Sequence, residues 1–227
     1  MAEQLTFDLP VRPALGREDF FVSPANMFAL AALDAGDWPG GKLLLIGPEG
    51  AGKSHLARVW ASESGARILP AALLPEMPVG ERAIVVEDAE GIAGNREAET
   101  RLFHIHNLVL AEGGRLLLTA RLHPSRWGLV LPDLASRMEA TAVAEIAPPD
   151  DALLAAVLAK HFSDRQLSVQ TNLLAWLVRR MDRSFAAARG LVAAVDARAL
   201  ARGTAVTRAL AQEVLDSMGV PGNDADG

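Results

Sequence analysis

Short apolar runs alternate with helical patterns through the first two thirds of the chain. Runs of strand length lie at 42–46, 66–70, 81–90, 115–119 and 141–146. Between them, apolar residues recur at helical spacing, which predicts helices at 55–62, 97–110 and 131–138. Strands that alternate with helices predict an α/β fold with a parallel, doubly wound sheet, whose ligands bind at the carboxyl ends of the strands.

The pattern changes at Pro148-Pro-Asp-Asp151, after which no strand-like run follows. Helices are predicted near 150–162, 169–181, 184–202 and 207–218, with Asp150 and Thr207 as N-caps. We therefore expect a small all-helical second domain. The predicted division is an N-terminal peptide and linker at 1–19, an α/β domain at 20–148, a helical domain at 149–219 and a disordered tail at 220–227.

A further helix is predicted ahead of the first strand. Ser23 has the side chain of an N-cap, Pro24 suits the first helical position, and apolar spacing continues to Leu33. The apolar residues at 20–22 precede this cap. Two interpretations of them stay open, since they either cover a nucleotide base or pack in the core.

The segment Gly47-Pro-Glu-Gly-Ala-Gly-Lys-Ser54 reads G-x-x-x-x-G-K-S and stands between a predicted strand and a predicted helix. Glycines allow backbone N–H groups to turn inward around a phosphate, and the helix N-terminus adds partial positive charge. Lys53 would reach the β- and γ-phosphates, and the Ser54 hydroxyl would bind Mg²⁺. The predicted nucleotide-binding residues of this loop are Gly47, Gly50, Ala51, Gly52, Lys53, Ser54 and His55.

Two adjacent acids end the strand within 81–90. In P-loop proteins an acid at this point holds Mg²⁺ and a neighbour polarises the attacking water, so Glu87 is the predicted metal ligand and Asp88 the predicted water-activating residue. Thr119 ends the next strand with a hydroxyl placed to sense a γ-phosphate. His104 and His106 are not at i, i+4 spacing, so we interpret them as ordinary surface or half-buried histidines.

Composition excludes several classes of protein. The chain has 227 residues, of which 50% are hydrophobic, a formal net charge of −6 and no cysteine. It is therefore globular, forms no disulfide and is not expected to grip nucleic acid nonspecifically through its whole surface. The N-terminus lacks a signal-peptide pattern, and no apolar run is long enough to span a membrane, so a cytoplasmic location is expected.

The N-terminal segment Gln4-Leu-Thr-Phe-Asp-Leu9 places apolar residues near an exposed terminus. An extended peptide could insert Leu5, Phe7 and Leu9 into pockets on a partner. The alternative is that the segment folds back as an edge strand, and the residues alone do not decide between these interpretations.

A P-loop α/β domain followed by a small helical lid resembles the AAA+ ATPases, and from about Phe20 to Met218 the chain resembles their DnaA branch. Phe21-Val-Ser-Pro-Ala-Asn26 is similar to the DnaA segment whose asparagine contacts the adenine side, which implies that role for Asn26. Leu134-Ala-Ser-Arg137 is similar to the DnaA motif that carries an arginine finger, which implies a catalytic Arg137.

Two further features narrow the resemblance. The C-terminal DNA-reading domain of DnaA has no counterpart in this sequence, so direct sequence-specific DNA binding is not expected. The peptide at Gln4–Leu9 looks like the motif that docks on the bacterial replication sliding clamp, which implies clamp contacts by Gln4, Leu5, Phe7 and Leu9. Together these features resemble the Hda family of DnaA regulatory inactivators.

This resemblance implies a negative regulator of replication initiation. It would dock on the DNA-loaded sliding clamp, meet ATP-bound DnaA and supply Arg137 to promote hydrolysis there. Its own cofactors would be ADP or ATP with Mg²⁺. An AAA+ module with a finger can stack head to tail, so a homo-oligomer is a possible state; no membrane partner is expected.

Departures from the DnaA pattern indicate weak hydrolysis by the chain itself. The acid pair is Glu87-Asp88 where DnaA has two aspartates, and Arg121 stands where DnaA has an acid. The nucleotide-sensing lid arginine of DnaA falls on Ala186, although Arg183 and Arg189 lie one turn away. The bound nucleotide, expected to be ADP, would then be structural or regulatory. The alternatives are a helicase loader, a DNA-binding initiator and a scaffold with a vestigial P-loop.

Overall fold

The computed structural model describes residues 22–76 and 81–219. The predicted clamp peptide with Gln4, Leu5, Phe7 and Leu9, and the predicted tail at 220–227, lie outside the described residues. Within the described ranges, five parallel strands form one sheet in the order β2-β3-β4-β1-β5. The strands are β1 (Lys42–Ile46), β2 (Arg67–Pro70), β3 (Ala83–Glu87), β4 (Arg115–Ala120) and β5 (Ala142–Glu145).

Helices follow or precede these strands, and the later ones form a separate group. The helices of the α/β part are α1 (Met27–Ala35), α2 (Lys53–Ser64), α3 (Arg96–Ala111) and α4 (Pro132–Glu139). The later helices are α5 (Asp151–Asp164), α6 (Thr171–Val178), α7 (Phe185–Arg202) and α8 (Arg208–Ser217). The predicted parallel sheet followed by an all-helical lid is therefore confirmed. Among the described helices, none is long and apolar enough to cross a bilayer.

Strand β1 lies between β4 and β5 and is buried at nearly every position. Because side chains alternate along a strand, Leu43 and Leu45 face the layer of α1 and α2, whereas Leu44 packs in the opposite layer with α3 and α4. The parallel register brings the carboxyl ends of β1, β3 and β4 to one edge of the sheet. Most of the predicted site residues lie at this edge, either at the ends of the strands or in the loops that follow them.

The lid helices share one hydrophobic core that includes Phe162, Leu177 and Val192. Asp150 and Thr207 accept hydrogen bonds from the first turns of α5 and α8, so both predicted N-caps are confirmed. The sequence pattern predicted a helix near 169–181, but helix α6 ends earlier, at Val178.

The predicted start of the first helix is wrong. Helix α1 begins at Met27, four residues after the predicted cap. The Ser23 hydroxyl accepts the N–H of Ala25, and the Ser23 carbonyl accepts the N–H groups of Asn26 and Met27. Ser23 and Pro24 therefore form a turn that precedes the helix, because a short hydroxyl side chain bonds equally well within a turn.

The predicted exposure of His106 is also wrong, since this side chain is only 3% exposed. Helix α3 packs along the sheet and turns His106 towards Lys42 at the start of β1. The neighbouring His104 lies on the exposed side of the same helix, as predicted.

Helix α3 also holds a fully buried carboxylate, Glu99, which the sequence reading did not single out. Its two oxygens accept backbone N–H groups from Gly94, Val130 and Leu131 at 2.7–3.1 Å. Gly94 lies in the loop that precedes α3, and Val130 and Leu131 lie in the loop that precedes α4. A buried carboxylate is tolerated because charge-assisted hydrogen bonds replace its hydration, and it fixes the entry into α4.

Replacing Glu99 with glutamine should destabilise the α/β part. The amide has the same shape, but its NH₂ group would face N–H donors, so at least one bond is lost and a donor is left unpaired. We expect a loss of about 2–4 kcal/mol in the free energy of unfolding, measured by urea denaturation with tryptophan fluorescence. The matched control is Glu97→Gln two residues away, which removes only an exposed ion pair with Arg101 and should cost less than about 0.5 kcal/mol. Equal effects in the two variants would contradict the assignment.

Candidate nucleotide-binding site

The segment 47–54 joins β1 to α2 as a tight loop at the carboxyl edge of the sheet. Gly50 and Gly52 have φ values of +75° and +99°, in the left-handed region that glycine adopts without a Cβ clash. Helix α2 begins at Lys53, two residues earlier than predicted, so the first-turn N–H groups lie directly behind the loop. The predicted strand, loop and helix context of a P-loop is confirmed.

Lys53 is buried, and its ammonium lies inside the loop. Its Nζ donates to the carbonyls of Gly47 and Pro48 at 2.7 and 2.9 Å. Burial lowers the pKa of Lys53, while the nearby charges of Glu90 and Asp88 oppose that shift. The loop therefore holds a desolvated ammonium in the position from which a P-loop lysine reaches phosphate oxygens.

Two carboxylates stand at the end of β3 with oxygens that lack hydrogen-bond partners among the described residues. These atoms are Glu87 Oε1 and Glu90 Oε2, both buried. Glu87 Oε1 has one weak charge contact, with Arg58 at 3.9 Å. Buried polar atoms are normally hydrogen-bonded, so each of these oxygens marks a place where a cation or donor fits. Of the two carboxylates, Glu90 is the one whose charge acts on Lys53.

Glu90 is a site residue that sequence reasoning missed. Its other oxygen, Oε1, accepts the backbone N–H of Arg121 at 2.8 Å and the Arg121 Nε at 3.2 Å. Glu90 and Arg121 are 31 residues apart, and the parallel pairing of β3 with β4 brings them together. A third acid so soon after Glu87-Asp88 was the available signal in the sequence.

Asp88 and Thr119 are joined to each other. The Asp88 N–H donates to Thr119 Oγ1 at 3.0 Å, and Thr119 is fully buried at the end of β4. Asp88 has a φ of +54°, and its side chain is exposed. The hydroxyl of Thr119 thus ties the end of β3 to β4, and the carboxylate of Asp88 stands further out than those of Glu87 and Glu90.

Asn26 lies at the carboxyl edge of the sheet, beside the start of the P-loop. The N–H of Ile146 donates to the carbonyl of Ile46, and the N–H of Ala147 donates to that of Ala25. Asn26 itself is buried, and its Oδ1 accepts the N–H of Ser23 at 2.9 Å. The turn before α1 is therefore positioned next to the P-loop, where the predicted adenine contact requires it.

The lid packs directly on the P-loop. The N–H of Phe185 donates to the Gly50 carbonyl at 3.2 Å, and Ser184 caps α7 through the N–H of Ala187. A Cβ on Gly50 would lie 2.4 Å from Ser184 Cβ, and one on Gly52 would lie 2.9 Å from the Phe185 ring. Glycine is therefore required here by close packing as well as by φ.

The first turn of α7 contains no cationic side chain. Ala186 is exposed in its first turn, where the DnaA pattern has the sensing arginine. Arg183 is paired with Asp151 at 2.6 Å and donates to the Pro149 carbonyl at 3.2 Å. Arg189 is exposed one turn further along α7.

These residues fit a magnesium nucleotide. The loop supplies N–H groups and the Lys53 ammonium for phosphates, and Ser54 follows in the first turn of α2. Glu87 and Glu90 offer the oxygen ligands that Mg²⁺ prefers. No group of three or more His, Cys, Asp or Glu within residues 22–76 and 81–219 could hold a metal by itself. A bound Mg²⁺ would therefore take most of its ligands from phosphate and water.

Arg137 lies at the opposite edge of the sheet. It is in the last turn of α4, and its carbonyl accepts Lys42 Nζ at 2.6 Å. Lys42 begins β1, whereas the P-loop follows the other end of that strand, roughly 13 Å away for a five-residue strand. The Arg137 guanidinium lies 4.9 Å from the centroid of the Phe103 ring. It is exposed and is separated from its own P-loop by more than an arginine side chain spans.

The five-stranded parallel sheet, the P-loop and the helical lid together form a fold that is similar to the AAA+ domain of DnaA. No protein-family model matches the chain. Over 210 aligned residues it is 23% identical to the chromosomal replication initiator protein DnaA of Thermotoga petrophila, an alignment that covers 81% of this chain and 48% of that protein. The chain thus spans about half the length of the curated relatives it matches.

Solved structures show the same fold. The crystal structure of domain III of DnaA from Thermotoga maritima has a TM-score of 0.77 at 21% identity, and the match covers 94% of this chain and all of that domain. The AMPPCP-bound DnaA of Aquifex aeolicus has a TM-score of 0.69 at 17% identity, covering 80% of this chain and 65% of that one.

Replacing Gly50 with alanine should weaken nucleotide binding by displacing the lid. The added methyl group overlaps Ser184, and relieving such overpacking costs about 1–3 kcal/mol, so we expect ADP affinity to fall roughly tenfold or more. Titration with a fluorescent ADP analogue measures the change. Gly203→Ala is the matched control, since Gly203 has a φ of +62° but no atom within 4 Å of an added Cβ. Equal losses in both variants would show that backbone strain, and not lid contact, is responsible.

Removing either partly unpartnered carboxylate should weaken Mg²⁺-dependent nucleotide binding. We expect Glu87→Gln and Glu90→Gln each to raise the Mg²⁺ concentration needed for tight ADP binding roughly tenfold. Asp88→Asn removes the same charge from an exposed position and should change it by less than about twofold. Mg²⁺ titration at a fixed ADP concentration measures all three. A dominant effect of Asp88→Asn would overturn this placement of the metal.

Proposed function

We propose that this chain is a negative regulator of replication initiation that promotes hydrolysis of ATP bound to DnaA. In this proposal Arg137 is the arginine finger, delivered to a nucleotide held by DnaA. The N-terminal residues Gln4, Leu5, Phe7 and Leu9 dock on a DNA-loaded sliding clamp. The chain's own nucleotide, ADP or ATP with Mg²⁺, has a structural or regulatory role.

The state of Arg137 is the observation that carries the proposal. The guanidinium is exposed on the face away from its own P-loop, and no carboxylate of the described residues lies within 4.0 Å of it. An arginine that served only as a surface ion pair would have an acid partner. Stacking on Phe103 orders the side chain without neutralising its charge.

An exposed guanidinium without an acid partner is suited to the chemistry of phosphoryl transfer. Negative charge on the γ-phosphoryl oxygens is stabilised in the transition state by a fork of N–H donors, and an arginine supplied in trans is worth roughly 10³–10⁵ in rate. An arginine that is already unpaired has no ion pair to break before it reaches that charge. Stacking on Phe103 also restricts its rotamers before the partner arrives.

The chain's own site supports nucleotide binding more than turnover. Ala186 leaves the first turn of α7 without a cation, and Arg183 is bonded to Asp151. Asp88, the predicted water-activating acid, is exposed. Hydrolysis by the isolated protein at rates typical of motor ATPases would contradict this part of the proposal.

The similarity of this chain to DnaA supports DnaA as a partner in replication initiation. The matched relatives are DnaA initiators, and one of the solved DnaA structures holds AMPPCP. An AAA+ module of this type can pair with a second one of like shape, as a trans finger requires. The clamp peptide lies outside the described residues, and its role is proposed from its sequence. Docking on the clamp would raise the effective concentration of Arg137 near DnaA.

The decisive experiment uses DnaA loaded with labelled ATP, with DnaA and clamp from the source organism. The protein is added in substoichiometric amount, with and without DNA-loaded clamp. We expect clamp-dependent hydrolysis that Arg137→Ala reduces by roughly 10³-fold, because the transition-state charge loses its donor. Release of labelled phosphate is the measurement.

Two controls accompany it. Arg179→Ala removes another exposed arginine, on the lid, and should leave hydrolysis unchanged. Substituting Gln4 and Leu5 by alanine should abolish the dependence on clamp while leaving nucleotide binding intact. If no condition stimulates hydrolysis, the proposal fails and the helicase-loader interpretation becomes the leading one.

A further inference from the structure

Lys42 occupies a position where the strand pattern calls for an apolar residue. It is the first residue of β1 and lies on the same face as Leu44, which packs in the core between the sheet and α3. The side chain is only 9% exposed. Burying an ammonium is costly unless hydrogen-bond acceptors replace its water, so the partners of Lys42 require an explanation.

Two acceptors receive the Lys42 ammonium. One is the backbone carbonyl of Arg137 at 2.6 Å, and the other is Nε2 of His106 at 3.3 Å. Since an ammonium only donates, Nε2 of His106 is the acceptor and its Nδ1–H donates to Oδ1 of Asn107 at 3.2 Å. The imidazole is therefore neutral, and Lys42 links β1 to α3 and α4 at once.

The Arg137 carbonyl is one of the helix-end acceptors that α4 cannot satisfy by itself. Its ordinary donor would be the N–H of Thr141, but that group bonds to the Met138 carbonyl. In its place the carbonyl accepts Lys42 Nζ and the hydroxyl of Thr141, the latter at 2.9 Å. A cation at a helix C-terminus is also favoured by the helix dipole.

The positive charges of Lys42 and Arg137 lie close together around His106. Burial lowers the pKa of Lys42, and the charge of Arg137 lowers it further. Burial also lowers the pKa of His106; the hydrogen bond to Asn107 opposes that shift, and the charges of Lys42 and Arg137 add to it. No carboxylate contributes to either shift. An apolar side chain at position 42 would avoid the burial of an ammonium, but it would leave the buried Nε2 of His106 without its donor.

From this geometry we infer that Lys42 is the positioning residue for Arg137, fixing the last turn of α4 so that the guanidinium lies over Phe103. The backbone of Arg137 is then held by Lys42 and Thr141, and its side chain is held by the Phe103 ring. The role of this placement in hydrolysis on DnaA rests on the function proposed above. The placement itself does not, so it can be tested separately.

The test variant is Lys42→Met, which removes the ammonium and fills the same space. Under the DnaA assay we expect the maximal rate of stimulated hydrolysis to fall roughly 10- to 100-fold, because a misplaced catalytic group loses that much. The concentration of DnaA at half-maximal rate should stay unchanged. Thermal unfolding should move to lower temperature, because the buried Nε2 of His106 loses its donor, so the rates are compared at a temperature where both proteins are folded. A merely structural lysine would lower stability in the same way but leave the rate of the folded protein intact.

The chain offers a matched control, because it contains only two other lysines, Lys53 in the P-loop and Lys160 on the lid. Lys160→Met should leave the rate unchanged. Thr141→Val removes the second donor to the Arg137 carbonyl without changing charge, so it should lower the maximal rate by a smaller factor. The double variant with Lys42→Met should have a lower rate than either single variant.

A spectroscopic readout separates this inference from the proposed function. The contact between the Arg137 side chain and the Phe103 ring gives an NMR nuclear Overhauser effect, which should weaken in Lys42→Met and persist in Lys160→Met. If wild-type protein fails to stimulate DnaA but this contact is lost in Lys42→Met, the proposed function fails and the positioning inference stands.

If Arg137→Ala abolishes stimulation while Lys42→Met retains the full rate and the contact, the inference is overturned and the proposed function stands. A retained contact in the absence of any stimulation would overturn both.

Discussion

Burial of strand β1 positions both the P-loop and the last turn of α4, because each is attached to one end of this strand. It pairs with β4 and β5, and it is held in place by apolar packing on both faces. Its carboxyl end continues into the P-loop, and its amino end carries Lys42 beneath the last turn of α4. Since a strand has a fixed rise per residue, the two ends cannot approach each other. The candidate nucleotide site and Arg137 are therefore kept at opposite edges of one sheet.

Buried polar groups fix the loops around this sheet. The Glu99 carboxylate binds the loops that precede α3 and α4, the Thr119 hydroxyl binds the end of β3, and the Lys42 ammonium binds the end of α4. Each group is removed from water and would be costly without these partners, so each restricts its loop to one arrangement. Apolar packing alone would hold the helices against the sheet but would leave the loop ends less defined.

The lid and Arg137 have different relations to the P-loop. Ser184 and Phe185 of the lid contact the P-loop glycines by close packing, and Ala186 adds no charge to that contact. This suits retention of a nucleotide more than stabilisation of a transition state. Arg137 has the opposite character, since it is charged, exposed and remote from its own P-loop. Holding one nucleotide and acting on another, as proposed, is consistent with this separation.

The elements that depend on neighbouring residues were predictable from the amino-acid pattern. Apolar runs gave the strands, helical spacing gave the lid, and the segment Gly47–Ser54 gave the phosphate loop, because each follows from local periodicity or turn chemistry. Local pattern misplaced the start of α1, since Ser23 suits a turn as well as a cap. The partners of Glu90 and of Lys42 follow from tertiary structure alone: Arg121 lies 31 residues from Glu90, and His106 and Arg137 lie 64 and 95 residues from Lys42. The strand order sets those pairings, and the free energy of burying charge decides which side chains meet.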